Sequence, residues 1–183
     1  GQAILQSGVY EVDNTVTVPD GALLKGNTSL PQIRLVGTIR QRLIRVMSNA
    51  RIGFLRLNGN NLVSGTSSGV VHVAGSGSYI DNNRIYNTNT PSGAYPVGVY
   101  FIGGSSSSNT LYNSQVYNNF LGVVFQSAYT SSNNNKIQKS KVYDNKCDGV
   151  TFSGYGIADE SDIYQNGFNC ENDIPGAGIY SLN

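Results

Sequence analysis

The chain has 183 residues, 39% of them hydrophobic and only 13% charged, with a formal net charge of +1. That is the scale of one domain with a buried core, and the near-neutral balance gives no global attraction to nucleic acid or to a membrane surface. The 22 glycines, with asparagine as frequent and serine nearly so, make about a third of the chain turn-forming, which excludes long helices; no apolar run approaches the roughly 18 residues of a membrane span.

Charge is unevenly spread. No acidic residue lies between Asp20 and Asp81, where Lys25, Arg34, Arg40, Arg42, Arg45, Arg51 and Arg56 all fall. From Asp144 onward the balance reverses, with Asp148, Asp159, Glu160, Asp162, Glu171 and Asp173 against Lys146 alone. The two ends of the chain are therefore oppositely charged.

In chain order, short β-rich runs come first: Gly8–Val12, Val16–Val18, Gly21–Gly26 and Leu43–Val46. A repeat then sets in. Ile52 to Leu57, Ile80 to Ile85, Leu111 to Val116 and Ile137 to Val142 each carry two aliphatic residues five apart, followed at once by polar corner residues. Ile157 to Ile163 is a fifth copy with one extra residue, which reads as a bulge. A second strand follows each: Gly69–Val73, then Gly98–Phe101, Gly122–Phe125, Gly149–Phe152 and Gly178–Tyr180. A unit of short strands and Asn, Gly and Ser corners cannot bury its inward face alone, so the coils must stack. The expected fold is an all-β, single-stranded parallel β-helix (β-solenoid) of roughly seven coils over residues 1–183. The aligned Asn60, Asn119, Asn145 and Asn166 are expected at left-handed corners, with their amides bonded from coil to coil.

These repeats resemble a known superfamily. Ser140–Phe152, the opening runs and Leu57-Asn58-Gly59-Asn60 are similar to coils of right-handed parallel β-helix proteins of the pectate-lyase-like superfamily. The resemblance implies a right-handed solenoid, and spans lyases, hydrolases, epimerases, tailspikes and adhesins. If the chain is an enzyme, the resemblance implies a polysaccharide lyase, an epimerase or a glycoside hydrolase. Ser153–Ile157 resembles the lead-in to the catalytic motif of alginate epimerases, but Ala158-Asp159-Glu160 stands where that motif has its histidine, so Tyr155 is not carried over as catalytic. Neither end shows the cap usual in the superfamily, which implies excision from a longer chain or end-to-end assembly.

Candidate chemistry falls into four groups. Arg40, Arg42 and Arg45, with Arg51 and Arg56 on the next coil, form a basic band whose guanidinium forks suit the carboxylates or sulfates of an acidic polysaccharide. Tyr86, Tyr117, Tyr143 and Tyr164 occupy one outward column whose flat faces can hold sugar rings or stack on one another; Arg84, Gln115, Lys141 and Asp162 stand beside it. Asp144, Asp148, Asp159 and Glu160, with Asp162, are weak catalytic candidates that could serve as a carboxylate pair or a Ca²⁺ site. His72, the only histidine, alternates with Val71 and Val73 and reads as an isolated outward residue. Cys147 and Cys170 follow corresponding strands of consecutive coils, at a spacing a disulfide can close, which fits a secreted protein. The functional expectation is an extracellular module that recognises, and in one version processes, an acidic polysaccharide, with no other cofactor and no nucleic-acid or membrane partner. The alternative is a non-catalytic structural protein: a tailspike or adhesin shaft, or a filament subunit associating head to tail.

Overall fold

The computed structural model describes residues 1–65, 67–88, 95–102, 107–126, 134–153, 156–167, 170 and 178–181. Three parallel sheets of seven strands run the length of the chain. The first stacks Gln2–Leu5, Leu23–Gly26, Arg51–Gly53, Tyr79–Asp81, Thr110–Tyr112, Asn135–Gln138 and Gly156–Asp159. The second stacks Val9–Val12, Gln32–Leu35, Arg56–Asn58, Arg84–Tyr86, Gln115–Tyr117, Lys141–Tyr143 and Asp162–Tyr164. The third stacks Val16–Val18, Arg42–Val46, Gly69–Val73, Val97–Phe101, Leu121–Phe125, Val150–Phe152 and Ile179–Ser181. One strand from each sheet makes a coil. Coils two to six have a neighbour on both sides and the two terminal rungs have one, so the expectation of roughly seven coils is corrected to about five enclosed turns.

Alternation sets the core. The middle residue of each short strand points inward, and parallel register puts like on like: Ile52, Ile80, Leu111 and Ile137 in the first sheet, Leu57, Ile85, Val116 and Val142 in the second, Val71, Val99, Val123 and Val150 in the third, all fully buried. Phe101, Phe125 and Phe152 add an internal stack with ring centroids 4.8 and 5.1 Å apart. The expected bulge in the fifth repeat is absent. Ala158 pairs with Ile137 and Ile163 with Val142, so Ala158 takes the inward place and the five-residue spacing persists, while Ile157 faces out.

Corners are where the chain leaves the ladder and its amides need other acceptors. In coils three to seven, each turn from the first to the second sheet has one left-handed residue, Phe54, Asn82, Asn113, Lys139 or Glu160, with φ between 44° and 58°. The next residue supplies the acceptor: Ser114 Oγ takes the Asn83 amide, Ser140 Oγ that of Ser114, and Ser161 Oγ that of Ser140, at 3.1, 3.1 and 3.2 Å. At the second corner, Asn145 Oδ1 accepts from Asn119 N at 3.0 Å and Asn166 Oδ1 from Asn145 N at 3.1 Å. Their amide groups donate back to Val116 O and Val142 O. At the third, Asn109 and Asn135 do the same for Ser78 and Asn109. The expected left-handed conformation holds for Asn60; in later coils it belongs to the preceding residue, Asn118, Asp144 or Gln165, which frees the asparagine to point inward. The recurring glycines make room for this column: a Cβ at Gly122 would lie 2.9 Å from Asn145 Nδ2 and 2.3 Å from Gly149 O.

A disulfide joins Cys147 and Cys170, with Cα atoms 4.6 Å apart, between coils six and seven. Closing a loop of this size contributes roughly 3 kcal/mol, so Cys147→Ser/Cys170→Ser is expected to melt several degrees below the oxidised protein and to match the reduced wild type in calorimetry. Asn145→Ala strips the Asn119 amide and the Val116 carbonyl of partners. At about 1–3 kcal/mol for each buried group left unpaired, it is expected to cost about 3 kcal/mol in urea denaturation, against less than about 0.5 for Asn14→Ala on the surface.

Candidate functional site

The outer face of the second sheet presents two columns, because residues on either side of each inward aliphatic both point out. One column runs Gln32, Arg56, Arg84, Gln115, Lys141 and Asp162; the other runs Arg34, Asn58, Tyr86, Tyr117, Tyr143 and Tyr164. The tyrosine rings stack at 5.1, 5.2 and 5.3 Å between centroids and within 11° of parallel. Each ring therefore covers the face of the next, and the ladder offers solvent its edges and hydroxyls; of its two end rings, Tyr86 has Asn58 on its far side in the column and Tyr164, 41% exposed, has no described ring on its far side. Partial burial pushes the Tyr86, Tyr117 and Tyr143 phenols up, so they stay neutral donors at physiological pH. Tyr86 and Tyr143 donate to Gln32 and Gln115 at 3.4 Å, tying the two columns together.

A cleft of about 300 Å³ opens where this face meets the corner from the first sheet, lined by Thr28, Leu30, Phe54, Asn82, Asn83, Arg84, Asn113 and Gln115. Its size is at the lower end for small-molecule sites. The left-handed conformation of Asn82 and Asn113 puts their amides at its rim, where Asn113 Nδ2 donates to Asn82 Oδ1 at 2.6 Å, and the wider corner at Thr28–Leu30 forms the far wall. Arg84 is exposed and makes no ion pair among the described residues; Arg56 Nε is spent on Leu30 O at 3.1 Å, with its terminal nitrogens in no ion pair there. Amides of both polarities suit sugar hydroxyls, and two guanidiniums suit a carboxylate. Asn82 and Asn113 were not among the sequence candidates, although their alignment at successive corners was the signal that could have found them.

The expected basic band divides. Arg56 lies on the second sheet, Arg42 and Arg45 on the third, and Arg51 on the first, where it grips the buried Asp81 carboxylate through Nε at 3.0 Å and Nη2 at 2.8 Å. Arg40 Nε bonds the Asp13 carbonyl at 2.9 Å. Neighbours in sequence thus face three directions, because each corner turns the chain to a new sheet. His72 does point away from the core but is 3% exposed, against the third-sheet outer face rather than in solvent. The carboxylates separate for the same reason. Glu160 is a corner residue paired with Lys139 at 3.6 Å, Asp159 accepts from Gln138 on the first sheet, Asp162 faces Lys141 at 3.7 Å on the second, Asp144 occupies the next corner, and Asp148 accepts from Thr151. Among the described residues no three of His, Cys, Asp or Glu converge to hold a metal ion. Tyr155 lies outside the described residues.

Residues 39–182 match the family described as the right-handed beta helix region. The chain belongs to the right-handed β-helix family. Its fold is also that of the crystal structure of pectate lyase Pel9A, with a TM-score of 0.71 at 17% identity over 94% of this chain and 47% of that one. The chain thus spans about half the length of that structure, and the likeness is one of fold. A more distant match, to the Dettilon tailspike protein gp208, has a TM-score of 0.35 at 12% identity and covers 98% of this chain and 62% of that one. No curated protein matches the chain. The expected right-handed β-helix is therefore met in family, and the expected likeness to a pectate lyase is met in fold.

Proposed function

We propose that this β-helix is an extracellular module that recognises an acidic polysaccharide along the outer face of its second sheet. The observation that carries the reading is the polar cleft edged by Arg84 and continued by Arg56 below and the tyrosine and Gln115–Lys141 columns above. A linear polymer running along the solenoid axis meets a new side chain of each column about every 4.8 Å. Guanidiniums take its carboxylates, while amides and phenols take its hydroxyls. Sugar stacking is confined to the ends of the ladder, foremost the exposed Tyr164, because Tyr117 and Tyr143 are covered on both faces. Secretion accords with the disulfide, which belongs to oxidising compartments. The likeness to a pectate lyase supports a uronate-bearing polymer as the ligand class. Recognition is the reading rather than chemistry, since the candidate carboxylates stand at separate corners and on separate sheets.

The test is calorimetric titration with a polyuronate, with neutral dextran as the control. At about 1.5–3 kcal/mol for each charge-assisted contact, Arg56→Ala/Arg84→Ala is expected to weaken polyuronate binding at least tenfold, with Tyr117→Phe losing less. Binding is expected to fall as salt rises. Undiminished affinity in the double variant, or equal affinity for dextran, overturns the reading.

A further inference from the structure

The third sheet carries a second concentration of positive charge, on a different face. Its outward column reads Thr17, Arg45, His72, Tyr100 and Val124 in successive coils, and Arg42 stands in register with Gly69. A Cβ on Gly69 would lie 2.9 Å from Val71 O and 3.1 Å from Tyr100 Cβ, so the place in register with Arg42 on that rung is too crowded for a side chain. Arg42 Nη1 lies 3.5 Å from His72 Nδ1, and the His72 ring stacks on Tyr100 with centroids 5.6 Å apart. Arginine only donates, so Nδ1 is the acceptor and the imidazole proton sits on Nε2. Tyr100 in turn donates to Gln126.

Among the described residues this cluster meets no counter-charge. Neither Arg42 nor Arg45 makes an ion pair among the described residues, and Arg45 Nε is buried with no hydrogen-bond partner. On the adjoining rung, Asp20 accepts the Ser48 amide and Asp13 accepts from Asn14. Burial, and after it the neighbouring charge of Arg45, pulls the Arg42 pKa down. Adjacent like charges, one with a buried and unused donor, are unfavourable unless an anion joins them.

We propose that Arg42 and Arg45 hold one oxyanion, the carboxylate or sulfate of an acidic ligand, and that His72 is a positioning residue whose neutral imidazole orients Arg42 toward it. The site lies on the third sheet and stands or falls without the second-sheet reading.

The single histidine makes the test specific, because imidazole resonances in the NMR spectrum belong to His72 alone. Burial, Arg42 and Arg45 push its pKa down to about 4. Facing it are Arg42 and Arg45 from one neighbouring strand and Tyr100 from the other. An anion between the arginines offsets their repulsion of the imidazolium, so occupancy raises the midpoint. At pH 5 in chloride the protonated fraction is expected to be about one in ten; at matched ionic strength in sulfate or acetate it is expected to approach one half, the effect of about one unit. A response to those free ions, or only to a uronic-acid oligosaccharide, supports the site and distinguishes a free anion from a glycan-borne one. Arg45→Gln is expected to raise the chloride midpoint and abolish the anion response. No response of the wild-type protein to any of the three probes overturns the proposal, with no variant required, and so does an anion response that persists in folded Arg42→Gln/Arg45→Gln. The polyuronate affinity of Arg56→Ala/Arg84→Ala reports on the other face independently.

Discussion

The structure depends on a backbone amide at each corner finding its acceptor in the side chain of the next coil. Within the sheets, parallel strands satisfy one another, but a solenoid must turn three times per coil and each turn takes an amide out of the ladder. Serine at the first corner and asparagine at the other two supply the missing oxygen, and asparagine also returns its own amide to a carbonyl of the previous coil. Such an amide fits only if the strand across from it has no side chain, which is why Gly98, Gly122 and Gly149 pack against Asn119, Asn145 and Asn166. The asparagine and glycine columns are one device.

That device explains what was legible in the sequence. Aliphatic residues five apart span two strands and one tight corner, so their recurrence gave both the strands and the stacking. The misread bulge shows where the pattern fails. Ile157 is the more hydrophobic candidate, yet register gives the inward position to Ala158, because the corner beginning at Glu160 and Ser161 counts back to it. Hydrophobicity alone does not choose between adjacent residues; the register set by the corner does.

The candidate site was legible by column and illegible by neighbourhood. Tyr86, Tyr117, Tyr143 and Tyr164 share a register position, and the structure keeps them together. Their stacking also follows from register: like side chains repeated at sheet spacing cover one another's faces and leave edges to solvent. Arg42, Arg45, Arg51 and Arg56 are close in sequence but occupy different register positions, so the corners scatter them. Proximity in a solenoid is measured by position within the coil, and the cleft at Asn82 and Asn113 belongs to that second kind of closeness.

Under the proposed recognition, the same geometry limits how far along the rod an anionic polymer is held. On the second sheet the column passes from Arg56 and Arg84 through neutral Gln115 to Lys141, whose charge is answered by Asp162. Among the described residues of this face, cations in no ion pair therefore occupy coils three and four, while Asp159, Glu160 and Asp162 all lie on coil seven, on different faces and a corner. Three rungs separate Arg84 from Asp162, about 14 Å at sheet spacing and more than the Debye length of about 8 Å at physiological salt. Attraction at coils three and four is then not cancelled by repulsion at coil seven. Under the proposed recognition, an acidic chain is anchored at coils three and four and released before coil seven, so the difference in charge between those coils gives the bound polymer a fixed position on the rod.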